Sequence, residues 1–255
     1  MKWDAEKYDR VNIQQFESGI ELTRLADVRK DDLILDLGCG TGRITAELAS
    51  LTPKGNVIGI DPSIEMINRA TDRCRDIKNV TFHNIPAQSM TFTDTFDLVY
   101  SNLALQWVKE RHKVAGLIYQ ALKPDGRIAF QIPGRNFCPN LFDCIHNTTH
   151  DLGIETLYRN MHETWYLPGK KEYEIFLRII GFNNVHADYK EYTLYFRSTE
   201  EVADWWSPAL IPFMEPLDEK SRARFRDVFA IHSEKYRNEK GIKFNLNRIF
   251  AFGEK

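Results

Sequence analysis

Apolar positions along this chain change their spacing repeatedly, and each change marks an element. Leu33-Ile34-Leu35 is a short apolar run suited to a strand buried on both faces, and it ends in an acid, Asp36. A loop with Gly38, Gly40 and Gly42 follows. Behind it, Arg43 to Ala49 is built of helix formers, with Ile44 and Leu48 one turn apart. Pro53-Lys54-Gly55 is turn punctuation, and Asn56 to Ile60 reads as a second strand ending in Asp61. Pro62 is placed as the first residue of a helix whose buried face is Ile64, Ile67 and Ala70. Val80 to His83 predicts a third strand and Phe96 to Tyr100 a fourth. A helix with Val114, Leu117, Ile118 and Leu122 then leads through Lys123-Pro124-Asp125-Gly126 into a fifth strand, Arg127 to Ile132. In that turn proline fixes one φ and the glycine is expected to take the unusual one.

The ends of the chain are patterned less regularly. Trp3 to Lys30 reads as a helical preface with Phe16, Ile20, Leu22 and Leu25 as its stripe and Asp4, Glu6, Lys7, Asp9 and Arg10 as polar positions. Beyond Pro133 the spacing predicts a helix over 137–152, an aromatic stretch over 155–168, and a helix over 173–180 closed by Gly181. A strand over 185–196, helices over 199–206 (capped by Thr199) and 218–236, and a closing strand over 247–252 complete the reading. Strands alternating with helices predict an α/β chain: a Rossmann-like, seven-stranded, mostly parallel sheet with helices on both faces. Its expected parts are an N-terminal helical lid (1–30), a core (31–133, 172–198 and 246–255) and an inserted or appended helical lobe (134–171 and 199–245).

Composition narrows the class. Apolar residues at 43% with 12% aromatics are ample for a core and unlike a disordered chain. A net charge of −2, from 34 basic and 36 acidic side chains, gives no reason to expect a polyanion as partner. The basic residues between Lys220 and Lys243 are interleaved with Glu219, Asp227, Glu234 and Glu239, an ordinary mixed-charge helix face. Cys39, Cys74, Cys138 and Cys144 are too few and scattered for a disulfide framework, and no C-x-x-C suggests a structural zinc. No signal peptide or bilayer-length apolar run is visible, so the expectation is a cytoplasmic enzyme with no metal, no membrane and no nucleic acid, a monomer or weak dimer.

The first strand, its glycine loop and the helix behind it make a nucleotide-type site at the carboxyl end of a parallel strand. The spacing is G-x-G-x-G, and Arg43 stands where a dinucleotide fingerprint has its last glycine. No Lys-Ser/Thr pair follows, which excludes a phosphate-cradling loop. An acid ahead of the glycines repels a pyrophosphate and suits a ligand with an ammonium group. Asp61 lies about 20 residues further on, the separation at which an acid meets a ribose diol, with helix capping as the structural alternative. Dinucleotide binding and a purely structural glycine turn remain open readings of the loop.

The run Asp36 to Gly42 resembles motif I of the class I S-adenosylmethionine-dependent methyltransferases. With Asp61 and Ser101-Asn102-Leu103-Ala104-Leu105-Gln106-Trp107, the chain resembles, over nearly its whole length, the trans-aconitate and malonyl-carrier-protein methyltransferase group. The resemblance implies S-adenosyl-L-methionine as cofactor, leaving as S-adenosyl-L-homocysteine. It implies a cofactor-binding set of Asp36, Gly38, Cys39, Gly40, Asp61, Pro62, Met66, Ala87, Gln88, Ser101, Asn102 and Leu103. Many relatives have an aspartate where this chain has Pro86, so the adenine contact falls to Gln88 and the Ala87 and Gln88 amides. The resemblance further implies a lid bringing Trp3, Tyr8 and Gln15 near the pocket.

The implied reaction is methylation of a small-molecule acceptor, a carboxylic acid, by in-line displacement. Positioning and exclusion of water are its main demands. A carboxylate is already ionised at neutral pH, so no general base is required. Trp107, Gln106 and Arg135 are positioning candidates, Arg135 as a bidentate clamp on an acid or as a solvated loop residue. His146 is a substrate-side candidate, and His112, His146, His150 and His162 are the bases should the acceptor need one. Trp205 and Trp206 shape a pocket or pack the lobe. A non-catalytic cofactor-binding sensor or scaffold, and a nicotinamide-dinucleotide oxidoreductase, are the competing functions.

Overall fold

A computed structural model of the chain describes residues 9, 13–156, 165–214 and 216–255. The chain divides into two units, one of residues 2–132, 168–189 and 249–255, the other of residues 133–167 and 190–248.

The larger unit begins with α1 (Ile13–Leu25) and continues β1 (Leu33–Leu37), α2 (Arg43–Leu51), β2 (Asn56–Ile60), α3 (Ile64–Arg73), β3 (Val80–His83), β4 (Phe96–Asn102), α4 (Arg111–Ala121) and β5 (Leu122–Pro133). α6 (Lys170–Ile180) and the first part of β6 (Asn183–Phe196) follow, and the end of β8 (Gly241–Glu254) closes the unit. β1 pairs in parallel with both β2 and β4, β2 with β3, and β4 with β5. The strand order is β3-β2-β1-β4-β5-β8-β6, with β1 and β4 next to each other where the order reverses. β8 runs antiparallel to β5, as the bonds from Gly134 N–H to Asn247 O (3.0 Å) and from Lys255 N–H to Gly126 O (2.9 Å) require. The core packs Leu22 of α1, Ile44 and Leu48 of α2, and Ile34, Val57, Leu98, Tyr100, Ala129 and Phe250 of the strands.

In the smaller unit, α5 (Pro139–Asp151), α7 (Thr199–Met214) and α8 (Glu219–Ser233) accompany the hairpin of β7 (Arg237–Asn238) with the start of β8. Its interior is aromatic: Phe137 and Trp206 meet edge-on at 6.1 Å, Phe196 and Phe244 at 5.8 Å, and Trp206 is 1% exposed. Trp205 packs edge-on against Trp206 at 4.5 Å, so the tryptophan pair takes the packing alternative.

Several sequence expectations need correction. The sheet has eight strands rather than seven, because the two residues of β7 pair with β8 off the main path. α3 starts at Ile64, not Pro62: the Ser63 hydroxyl accepts the Met66 N–H at 3.3 Å and is the cap. In the turn before the fifth strand, Asp125, not Gly126, takes the positive φ of 61°. The strand pairing resumes on both sides of that turn, which therefore sits inside β5 as an irregularity. Ser198, not Thr199, accepts the Glu201 N–H at 3.2 Å ahead of α7, and that helix runs on past Trp206 to Met214. The closing strand is longer than the apolar run, from Gly241 to Glu254. Trp3, Tyr8, Tyr158 and His162 lie outside the described residues.

Candidate active site

The glycine loop is shaped by what surrounds it. Gly38, Gly40 and Gly42 all have positive φ, the left-handed region that costs an L side chain most. A Cβ on Gly38 would stand 2.2 Å from the Ala104 Cβ, so the loop after β4 closes directly over that of β1. A Cβ on Gly40 would meet nothing within 4 Å, and Gly40 borders a cavity. That cavity opens to solvent, holds about 480 Å³ of empty space with the solvent at its mouth included, and is lined by Asp9, Gln15, Phe16, Asp36, Gly38, Cys39, Gly40, Thr41, Arg43, Ile44 and Asn102.

Two acids flank the loop. Asp36 is 2% exposed, and its Oδ2 accepts the Thr45 hydroxyl at 2.6 Å. Burial pushes its pKa up to about 7, against the Thr45 bond, and the nearby Asp61 adds a smaller push in the same direction. Such a carboxyl is poised to ionise when a cation enters. Asp61 accepts the Ser63 N–H on Oδ1 at 2.8 Å and the Gly40 N–H on Oδ2 at 3.1 Å. Burial raises its pKa and those two amides restrain the rise. Asp61 thus ties the second strand's end to the glycine loop while its carboxylate keeps acceptor capacity. The Cys39 thiol is held protonated, first by burial and then by Asp36 and Asp61.

The N-terminal segment reaches the same place. Tyr100 donates to Gly19 O at 2.8 Å and Asn102 Nδ2 to Gln15 O at 3.2 Å, which pins α1 to β4. Asp9 accepts the Thr41 hydroxyl at 2.6 Å and also pairs with Arg69 and Arg73 of α3. The Arg43 guanidinium lies 3.9 Å from the centre of the Phe16 ring, at cation–π range.

The cavity therefore brings together Asp36, Gly38, Cys39, Gly40, Asn102 and Gln15 from the expected set. Met66 and Ala87 are buried, whereas Pro62 and Gln88 are exposed. The Ser101 hydroxyl donates to Leu37 O at 2.8 Å and ties β4 to β1, and Leu103 takes a positive φ of 54°. Gln106 is turned back on its own loop, its Nε2 donating to Leu103 O at 2.8 Å, and Trp107 is half-buried beside it. Arg135 and His146 belong to the smaller unit and are exposed, as is His150. His112 is exposed and packs edge-on against Phe176 at 5.1 Å.

Asp9, Phe16, Thr41, Arg43 and Ile44 line the cavity without having been singled out as binding residues. Arg43 stands out in the sequence only as the residue in place of a glycine, and Asp9 only as one of several polar positions. No local pattern marks either as a wall of the site.

A family model described as methyltransferase domain matches residues 29–174. The chain belongs to that family. It is an S-adenosylmethionine-dependent methyltransferase, which decides between the methyl-transfer and dinucleotide readings of the glycine loop. The methyltransferase is 28% identical over 233 residues to a trans-aconitate 2-methyltransferase of Deinococcus radiodurans, covering 90% of this chain and 89% of the relative. It is 25% identical over 254 residues to a malonyl-[acyl-carrier protein] O-methyltransferase of Bacillus cereus, covering 96% and 91%. The Haemonchus contortus phosphoethanolamine N-methyltransferase 2, solved in complex with S-adenosyl-L-methionine, superposes with a TM-score of 0.64 at 19% identity, over 98% of this chain and 56% of that one. At that identity the likeness is one of fold. The residues of this methyltransferase fit the cofactor: open space at Gly40, a buried carboxyl in want of a cation, and a second carboxyl at the end of β2. Among the described residues, no helix is long and apolar enough to cross a membrane.

Proposed function

We propose that this methyltransferase acts on a small organic acid and methylates one of its carboxylate oxygens. Bound S-adenosyl-L-methionine supplies an activated sulfonium methyl. The chain's own residues hold, orient and shield. Asp36 meets the ammonium of the cofactor's methionine part, and Arg43, steadied on Phe16, is the cation available to the carboxylate of the same part. Asp61 accepts the ribose hydroxyls while the Gly40 and Ser63 amides hold it in place. Met66 and Ala87 lie against the adenine, and Asn102 and Leu103 flank the sulfur. Gln106, Trp107 and Arg135 are the residues whose substitution separates acceptor effects from cofactor effects. The four cysteines are free and buried, which fits a cytoplasmic enzyme.

The observation that carries the acid reading is that two relatives, each aligned along nine-tenths or more of this chain, are named for acceptors that are carboxylic acids. The cavity wall is compatible with it: beside the apolar Phe16 and Ile44, its described side chains are acids, amides, a thiol, a hydroxyl and one guanidinium, with no histidine among them. An acceptor with a pKa of about 4 arrives ionised and asks for no base. The test is transfer of labelled methyl from the cofactor to trans-aconitate, malonyl-carrier protein and simple di- and tricarboxylates, beside a set of amines and phenols. Base-labile methyl esters formed with acids alone are the expected result. Label appearing only on amines or phenols would overturn it.

A further inference from the structure

Gln131, on β5 in the larger unit, has no use in the arrangement described so far. It is 0% exposed, and among the described residues neither its Oε1 nor its Nε2 meets a hydrogen-bond partner. Buried polar groups almost always find partners, and an amide that keeps none at either end opposes folding. Phe130 and Ile132 on either side are equally buried. Were packing the only demand at this position, leucine or methionine would meet it without that penalty. The backbone is already committed, because Gln131 O accepts the Leu103 N–H at 2.8 Å.

Its position says what the side chain is kept for. Gln131 is in register with Asn102 across the parallel β4–β5 pair, so both side chains leave the sheet on one face, about 4.8 Å apart. Asn102 lines the cavity, and among the described residues its Oδ1 lacks a partner, as does Oε1 of Gln15 on the same wall. A methionine ammonium held by Asp36 has further N–H groups for those two oxygens. Gln131 stands one strand beyond them, at the carboxyl end of β5. It presents one donor and one acceptor, whichever way the amide is turned.

We propose that Gln131 is an acceptor-binding residue: its N–H bonds a carboxylate oxygen of the acid to be methylated, and its carbonyl takes a hydroxyl or N–H carried by the same molecule. This rests on the carboxylate reading above and narrows it to acids with a hydrogen-bond donor beside the carboxylate, hydroxy acids being the simplest. A site built to pair a hydroxyl discriminates strongly against the analogue lacking it, because its own polar group is then left buried and unpaired.

The experiment compares the 255-residue chain with its Gln131→Met variant on matched pairs of acids: malate and succinate, 3-hydroxybutyrate and butyrate, salicylate and benzoate, with trans-aconitate alongside. The wild-type chain is expected to prefer the hydroxylated member of a pair at least tenfold in kcat/KM. Gln131→Met should raise KM for that member tenfold or more and erase the preference. Its affinity for S-adenosyl-L-homocysteine should stay within twofold, and its Tm should equal or exceed the wild type, since two orphaned atoms are removed. A lower Tm with unchanged KM would make Gln131 a structural residue and overturn the proposal. Equal use of both members of each pair, by both proteins, would overturn it while leaving the carboxylate reading standing. Failure of the wild-type chain to methylate any of the acids would remove the carboxylate reading itself, and this inference with it.

Discussion

The turn after β1 and the carboxyl end of β5 belong to one sheet, yet they hold their polar groups in opposite ways. Around the glycine turn each acid already has protein partners, Asp36 through the Thr45 hydroxyl and Asp61 through the Gly40 and Ser63 amides. At the end of β5 the Gln131 amide has none among the described residues. On the reading proposed above, the difference separates the two ligands of the reaction. In that reading the cofactor's half is preorganised, its acids held in position before anything binds, as positioning catalysis needs. The acceptor's half is left for the acceptor to complete, so its polar groups select rather than merely hold.

Four experiments break or sharpen that contrast, the most disruptive first. Gly38→Ala forces a Cβ to within 2.2 Å of the Ala104 Cβ at a φ of 77°. It should cost about 2–3 kcal/mol of stability, with cofactor binding lost in parallel, read by urea titration and calorimetry. Asp61→Ala removes the proposed ribose acceptor and the tie to Gly40. Cofactor affinity should fall more than about tenfold, or ~1.4 kcal/mol. An unchanged Kd would remove the ribose assignment and with it the idea of a preorganised half.

The third experiment uses pH. With the folded Asp36 titrating at about 7 against an ordinary 3.8, the folded chain keeps a proton that the unfolded chain has already lost between those values. This group's contribution to stability is therefore present in acid and lost as pH rises through 7. Cofactor binding runs the other way, because an ammonium favours the carboxylate. Affinity should rise about tenfold per pH unit up to 7 and then level off, with a proton released on binding below that point. Thr45→Val deletes the bond that restrains the shift and should move the break to higher pH. A flat profile would mean that Asp36 does not face the ammonium. The smallest effect is expected from His146→Ala, an exposed position, where kcat and KM should both stay within about twofold. A large loss of kcat there would instead restore a general base and a different acceptor.

The glycine turn and its two acids were legible because their pattern is local. Asp36 and the three glycines lie within seven consecutive residues, and Asp61 sits at the end of the next strand. Strand periodicity placed both acids at carboxyl ends, and positive φ at Gly38, Gly40 and Gly42 follows from a chain that must turn sharply there. Element ends were less legible. Pro62, Gly126 and Thr199 each satisfy a local rule, but the helix starts at Ile64 behind a Ser63 cap, Asp125 takes the positive φ and Ser198 accepts the capping N–H, because adjacent residues satisfy the same rules and the surrounding structure selects among them.

The sequence by itself determined an alternating α/β chain, an acid-tipped glycine turn and a second acid one strand over, because apolar period and turn chemistry are written in adjacent residues. Only the tertiary structure decided that Asp9, Phe16 and Arg43 share a cavity with Asp36, that Gly19 lets α1 approach Asn102, and that the Gln131 side chain is buried without a hydrogen-bond partner among the described residues. Those facts depend on strand register and on contacts between residues as many as 87 positions apart, such as Asn102 with Gln15. Burial is a property of the packed whole, and one residue type can read identically in sequence whether it faces water, a backbone or a substrate.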